Sequence, residues 1–147
     1  MSALPELRPE PATSADAGRS GFLVAGSGSI GRRHFENLRR LGEKGVTLYR
    51  TGRRAPGAPV VEAPEEFDLA RALAARPRAV LVCNPSALHL ETALAAVRAG
   101  AHVLVEKPLS HALDGVEDLA AEVSRRGLVA LVGFQYRFHP GLRRVKE

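Results

Sequence analysis

Residues 22–31 read FLVAGSGSIG, four apolar residues followed by three glycines at the spacing Gly-x-Gly-x-x-Gly. The apolar run predicts a buried strand, and the periodic apolar residues beyond the glycines predict an amphipathic helix that ends near Gly42. A glycine-rich turn between a strand and a helix is typical of dinucleotide binding, because the free N–H groups at the start of the helix attract phosphate.

Each glycine has a separate reason to be there. Gly26 permits the tight turn, Gly28 lets the backbone approach a pyrophosphate, and Gly31 lets the helix pack closely on the strand. We therefore predict a cofactor-binding loop that contains Gly26, Gly28, Ser29, Ile30 and Gly31. A glycine-rich turn without a ligand is the alternative.

Apolar runs and helical patterns alternate along the rest of the chain. The runs lie at residues 22–25, 46–49, 79–83, 102–105 and 128–132, with a weak one at 60–61. Most are apolar throughout, as in a parallel sheet covered on both faces. This pattern predicts an α/β fold, a doubly wound parallel Rossmann sheet in three αβα layers. One helix is predicted to begin at Ser110 or at Asp114, where Glu117 would complete a capping box.

The 147 residues are enough for one domain. Residues 1–20 are rich in Pro, Ala, Ser and charge, and we expect a disordered tail there, before a domain over residues 21–147. The single cysteine, Cys83, excludes an internal disulfide and a cysteine-cluster metal site, and no metal site is predicted. We interpret Cys83 as a small buried strand residue and His34 as a packing residue.

The composition argues against two classes of partner. The net charge of +5 invites a nucleic-acid interpretation, but the arginines occur in scattered pairs without the interleaved stacking aromatics that a single-strand binder uses. No apolar run approaches the length of a spanning helix, and the N-terminus lacks the apolar stretch of a signal peptide. We predict no nucleic-acid partner, no membrane partner and a cytoplasmic location.

Arg50 bears on the choice of cofactor. It lies where the second strand ends, a position at which NAD-binding sites usually have an acid that bonds the ribose 2′-hydroxyl, and residues 49–54 contain no acid. A guanidinium there would bind a 2′-phosphate or stack on adenine, and Thr51 would add a hydroxyl donor. The sequence therefore favours NADP(H) over NAD(H), with an ordinary basic loop as the alternative.

Residues 99–109 read AGAHVLVEKPL, and with the glycine loop they resemble the glucose–fructose oxidoreductase, inositol dehydrogenase and rhizopine-catabolism family (GFO/IDH/MocA). The resemblance extends from about Gly21 to Glu147. It implies an N-terminal Rossmann domain followed by an α/β domain with a large open sheet. It also implies oxidation or reduction of sugars and related alcohols with NAD(P).

The resemblance implies roles for seven further residues. Lys107 would be the catalytic lysine, and Pro108 would be a cis proline that aims it. Glu106 would place the cofactor or orient Lys107, with a structural salt bridge as the alternative. The remaining cofactor-binding candidates follow the fourth and sixth strands. After the fourth strand, Asn84 and Pro85 would line the nicotinamide ribose or form a turn, and His89 would contact the cofactor or pack. After the sixth strand, Arg137 would reach the cofactor or the substrate rim.

The chain ends within a predicted helix at residues 141–147, and members of the resembled family are about twice as long. The second domain would be absent, and with it the substrate-binding sheet, the usual catalytic His and Asp and the common dimer surface. We expect a truncated reading frame, a piece of a longer protein or a stand-alone module that binds cofactor and is inactive alone. A non-catalytic NAD(P) sensor is the alternative, and a homo-oligomer is expected only with the second domain.

Overall fold

The computed structural model describes residues 18–19, 21–51 and 62–146. Its strands are β1 (Phe22–Ala25), β2 (Val46–Tyr49), β3 (Glu65–Glu66), β4 (Ala79–Val82), β5 (His102–Val105) and β6 (Ala130–Val132). Its α-helices are α1 (Ser29–Arg40), α2 (Leu69–Ala74), α3 (His89–Arg98), α4 (Val116–Arg126) and α5 (Pro140–Lys146). Short 3₁₀ turns occupy Ser86–Leu88 and Gln135–Phe138.

The six strands form one parallel sheet in the order β3-β2-β1-β4-β5-β6. This is the doubly wound Rossmann order, which confirms the predicted fold class. Alternate strand residues enter two separate apolar clusters, since Leu23 packs in one cluster and Val24 in the other. The helix α1 covers the Val24 side through Phe35 and Leu38. The opposite side is covered by helices that include α3 and α4, so the sheet is the middle of three layers.

Two predicted boundaries need correction. The third strand is Glu65–Glu66, whereas the run at 60–61 lies outside the described residues, as does nearly all of the expected tail at 1–20. Helix α4 begins at Val116, and its N-cap is Gly115 at φ 79° with no side-chain cap. A left-handed glycine turns the chain into this helix, so the capping box at Asp114 is wrong. The Ser110 hydroxyl instead accepts a hydrogen bond from the Ala112 N–H.

The last part of the chain packs less tightly than the first five strands. Strand β6 lies at an edge of the described sheet, and Leu131 on it is 56% exposed. No residue of the final helix, α5, is buried. Within the described residues, no helix is both long and apolar enough to cross a membrane.

Candidate functional site

The carboxyl ends of the central strands lie in register. Ala25 at the end of β1 pairs with Tyr49 on β2 and with Val82 on β4, which in turn pairs with Val105 on β5. The residues that follow these four strand ends therefore gather along one edge of the sheet: Gly26, Arg50, Cys83 and Glu106. A parallel doubly wound sheet binds its ligand outside this edge.

Two of the loop glycines are required by close backbone packing. Gly26 has φ 118°, and a Cβ there would lie 2.6 Å from the Cys83 carbonyl oxygen. A Cβ on Gly31 would overlap the Gly26 carbonyl oxygen. Both positions exclude side chains, and this lets helix α1 start directly against β1 and β4.

Gly28 is different, because nothing lies within 4 Å of the position its Cβ would take. It is the N-cap of α1, it makes no side-chain cap hydrogen bond, and the first turn of the helix contains no acidic residue. The loop is fixed from behind by Arg32, whose guanidinium donates to the Ser27 carbonyl over 3.2 Å. The helix N-terminus therefore faces open space, where an anion can approach its N–H groups.

Two adjoining clefts run along this edge. The phosphate cleft, of about 420 Å³, is lined by residues 26–30, Arg50, Thr51 and residues 83–85. The lysine cleft, of about 500 Å³, is lined by residues that include His34, His89, Glu106, Lys107 and Gln135. Ile30 and residues 83–85 line both clefts, so the two form one groove over the switch point of the sheet.

Arg50 has an acidic partner that the local sequence does not show. Its Nε and Nη2 donate to Glu65 Oε2 over 3.2 and 3.1 Å, and its guanidinium lies 4.5 Å from the centre of the Phe67 ring. Glu65 comes from β3, which pairs with β2 in the sheet. The absence of an acid in residues 49–54 is therefore offset by one from the neighbouring strand.

Asn84 and His89 join the turns after β4 and β5. The Asn84 side-chain amide donates to Thr92 Oγ1 over 2.8 Å, while its Oδ1 is buried without a hydrogen-bond partner in the described part of the chain. The ring nitrogens of buried His89 lie 2.8 Å from the carbonyl oxygens of Asn84 and Pro108. His89 is thereby occupied by backbone, which favours its packing role.

The Glu106-Lys107-Pro108 turn is held by helix α1. Glu106 Oε1 lies 2.8 Å from His34 Nε2, and its Oε2 accepts a hydrogen bond from the Lys107 N–H over 3.3 Å. The Lys107–Pro108 peptide is cis, and the Lys107 side chain is exposed at the lysine cleft. His34 is predicted as a packing residue, and in the structure its ring is half-buried and also contacts the carboxylate beside Lys107.

Cys83 lies beneath both clefts. Burial raises the pKa of its thiol to about 12, and the nearby Glu106 carboxylate adds to the effect. A thiol that stays protonated is a poor nucleophile. This agrees with the interpretation of Cys83 as a small buried residue, although it lies one position after the end of β4 and not within the strand.

Arg137 is not brought together with the other candidates. It lies in the turn Gln135–Phe138 and lines a separate depression with residues that include Tyr136 and Arg143. From that turn it is Gln135 that reaches the lysine cleft.

Sequence reasoning missed Gln135, Glu65 and the role of His34. Only contacts between distant parts of the chain reveal them. In the described ranges, no three His, Cys, Asp or Glu side chains form a group that could hold a metal ion.

The sheet order, the open helix N-terminus and the groove define a dinucleotide-binding Rossmann domain. Residues 20–134 match the model of the GFO/IDH/MocA family, described as an oxidoreductase family with an NAD-binding Rossmann fold. The match covers most of the chain, which therefore belongs to this family and is an oxidoreductase NAD-binding domain.

Relatives within the family are dehydrogenases. The chain is 35% identical over 126 residues to 4-carboxy-2-hydroxymuconate-6-semialdehyde dehydrogenase of Sphingobium sp. strain NBRC 103272 / SYK-6, covering 81% of this chain and 39% of that protein. It is 30% identical to myo-inositol 2-dehydrogenase of Thermotoga maritima, covering 84% and 39%. The crystal structure of GenD2 from gentamicin A biosynthesis, in complex with NAD, superposes with a TM-score of 0.71 at 31% identity, covering 86% and 37%. The chain thus spans about two fifths of the length of these curated relatives.

Proposed function

We propose that this chain is the cofactor-binding part of an NAD(P)-dependent oxidoreductase that transfers hydride to or from a CH–OH group of a sugar or polyol. The observation that supports this best is the continuous groove. It joins an open phosphate-binding helix N-terminus to an exposed lysine. The relatives with dehydrogenase names point to the same chemistry.

The residues of the groove fit a nicotinamide dinucleotide. Nothing lies within 4 Å of the position that a Cβ on Gly28 would take, and we assign this open space to the pyrophosphate. The orphaned Asn84 Oδ1 provides a buried acceptor for a ribose hydroxyl of the nicotinamide half. We assign cofactor binding to the loop and to these groups around it: Gly26, Gly28, Ser29, Ile30, Gly31, Arg50, Thr51, Asn84, Pro85, Glu106 and Lys107. His89 is assigned to the support of this site, and Arg137 is not included because it lines a separate depression.

The chain's own chemistry centres on Lys107. A bound nicotinamide supplies the carbon that accepts or donates hydride. The Lys107 Nζ ammonium stabilises negative charge that develops on the substrate oxygen, or gives its proton to that oxygen in the reduction; in the oxidation the neutral amine takes the proton from the hydroxyl. Glu106, fixed by His34, holds the backbone of this turn so that Lys107 enters the cleft from one direction. Cys83 takes no part, since its thiol stays protonated.

The choice between NADP(H) and NAD(H) depends on Arg50. A guanidinium at the end of β2 binds a 2′-phosphate through paired, charge-assisted hydrogen bonds, so NADP(H) is favoured over NAD(H). Substrate orientation and a proton partner for Lys107 are assigned to a second domain, which is also assigned the surface for any homo-oligomer. On the sequence grounds given above, the location is cytoplasmic.

The test is a titration of the purified chain with NADPH and with NADH, followed by nicotinamide fluorescence. We expect saturable binding of both and tighter binding of NADPH. Absence of binding by either cofactor would overturn the proposal, and tighter NADH binding would overturn the preference. An assay of sugars and polyols with the loaded chain should show no turnover, and turnover would contradict the need for a second domain.

A further inference from the structure

The contact between Arg50 and Glu65 lies at the point where the two nicotinamide cofactors differ. Arg50 lines the phosphate cleft next to the glycine loop, and both of its described hydrogen bonds to Glu65 end on the single oxygen Oε2. The side chains of both residues are only 16% exposed. The ion pair is therefore partly shielded from water. In such a place one charge has a larger effect on another than at an open surface.

The short strand β3 and the residue after it hold Arg50 in place. The Arg50 N–H donates to the Glu66 carbonyl over 3.1 Å, and the Phe67 ring lies against the guanidinium. The Glu66 carboxylate, in contrast, pairs with Arg71 over 3.6 Å and accepts a hydrogen bond from the Phe67 N–H. The two neighbouring acids thus have different partners, and only Glu65 faces Arg50.

A carboxylate in this position affects the two cofactors in opposite ways. The 2′-phosphate of NADP(H) is dianionic or nearly so at neutral pH, and it would compete with Glu65 for the same guanidinium while being repelled by it. The 2′-hydroxyl of NAD(H) is neutral, and it can donate a hydrogen bond to a carboxylate.

We propose that Glu65 is a specificity-determining residue that restrains the preference of Arg50 for NADP(H) and keeps the site open to NAD(H). The inference rests on the proposed function, because it concerns the same cofactor site. Glu65 acts by occupying the Arg50 guanidinium, whose Nε and Nη2 are both committed to its carboxylate.

The experiment measures the dissociation constants of NADPH and NADH for the wild-type chain and for Glu65→Gln. The ratio Kd(NADH)/Kd(NADPH) is expected to rise about tenfold in E65Q, mainly because NADPH binds more tightly. Glu66→Gln is the matched control, since it removes one negative charge from the same strand but leaves the Arg50 contact. Its ratio should stay within about twofold of wild type.

A double-variant cycle tests whether Glu65 acts through Arg50. In an Arg50→Gln background, the effect of E65Q on the ratio should shrink to less than about threefold. Glu65→Ser, compared with wild type by thermal melting, provides a second variant if E65Q disturbs the fold. The inference is overturned if E65Q leaves the ratio unchanged, if E66Q shifts it equally, or if the full effect persists without Arg50. Loss of all cofactor binding by the wild-type chain would instead refute the proposed function, and with it this inference.

Discussion

The two clefts are built by opposite means. The phosphate cleft is shaped by missing side chains, because two of its glycines lie against backbone and the third borders open space. The lysine cleft is shaped by side-chain pairs, of which His34 with Glu106 and Asn84 with Thr92 are examples. The glycines of the first cleft belong to one contiguous loop, whereas the pairs of the second join residues up to 72 positions apart.

This difference implies that substitutions in the two clefts will affect stability and cofactor binding in different ways. A side chain added at one of the loop glycines would meet either backbone or a bound pyrophosphate, and neither can shift far enough to make room for it. A half-buried side chain altered in the lysine cleft, such as His34, should leave the fold intact and affect mainly the nicotinamide half of the cofactor. ADP-ribose, which lacks nicotinamide, separates the two effects because it occupies only the phosphate side.

The largest effect is expected for Gly31→Ala. Its Cβ would overlap the Gly26 carbonyl oxygen, so α1 must shift away from β1. We expect the melting temperature to fall by more than about 10 °C and cofactor binding to be lost. A G31A variant that melts like wild type would show that the helix does not need this close approach.

Gly28→Ala is expected to separate binding from stability. Nothing lies within 4 Å of its Cβ position, so the melting temperature should change by less than about 2 °C. The same methyl group occupies the space proposed for the pyrophosphate. ADP-ribose and NADPH should therefore both bind about a hundredfold more weakly, as measured by calorimetry. Unchanged affinity for ADP-ribose would place the pyrophosphate elsewhere.

His34→Leu tests the lysine cleft. It removes the 2.8 Å contact to Glu106 and keeps a side chain of similar size on α1. NADPH affinity should fall about fivefold, whereas ADP-ribose affinity should not change measurably. Because both residues act as one unit, the double variant with Glu106→Gln should lose no more than the larger single loss. Additive losses would mean that His34 and Glu106 act independently.

The smallest expected effect concerns the Cys83 thiol, which influences chemical labelling and the stability of the fold at high pH. Because burial and the Glu106 charge raise the pKa of its thiol to about 12, iodoacetamide at pH 8 should label the urea-unfolded chain but not the folded one. Below pH 9 the thiol is protonated in both states and adds no pH dependence. Between pH 9 and 12 the unfolded chain releases the proton first, so the free energy of unfolding falls as pH rises. Cys83→Ala should show a smaller fall over that range.

The comparison of the clefts also explains what the sequence could predict. The bounds of β1, β2 and β5 follow from apolar runs, and the glycine loop follows from spacing within six residues. Strand β3 was missed because Glu65–Glu66 is acidic and has only two residues.

Helix α2 and the contact between Glu106 and His34 differ in how clearly the sequence indicates them. Helix α2 had a readable signal, since Asp68 caps it by accepting from the Arg71 N–H over 3.1 Å. The contact between Glu106 and His34 had none, because it depends on how β5 and α1 pack across the sheet. Sequence spacing alone does not reveal such a pair.

The edge strand β6 affects how the chain behaves in concentrated solution. An edge strand with exposed apolar side chains is a template for pairing with another chain, and Leu131 lies on this one. The net charge of +5 opposes such encounters by repulsion between molecules, and salt screens that repulsion. We expect the colloidal stability of the chain to fall as ionic strength rises, so this edge strand sets the conditions that keep the chain monodisperse.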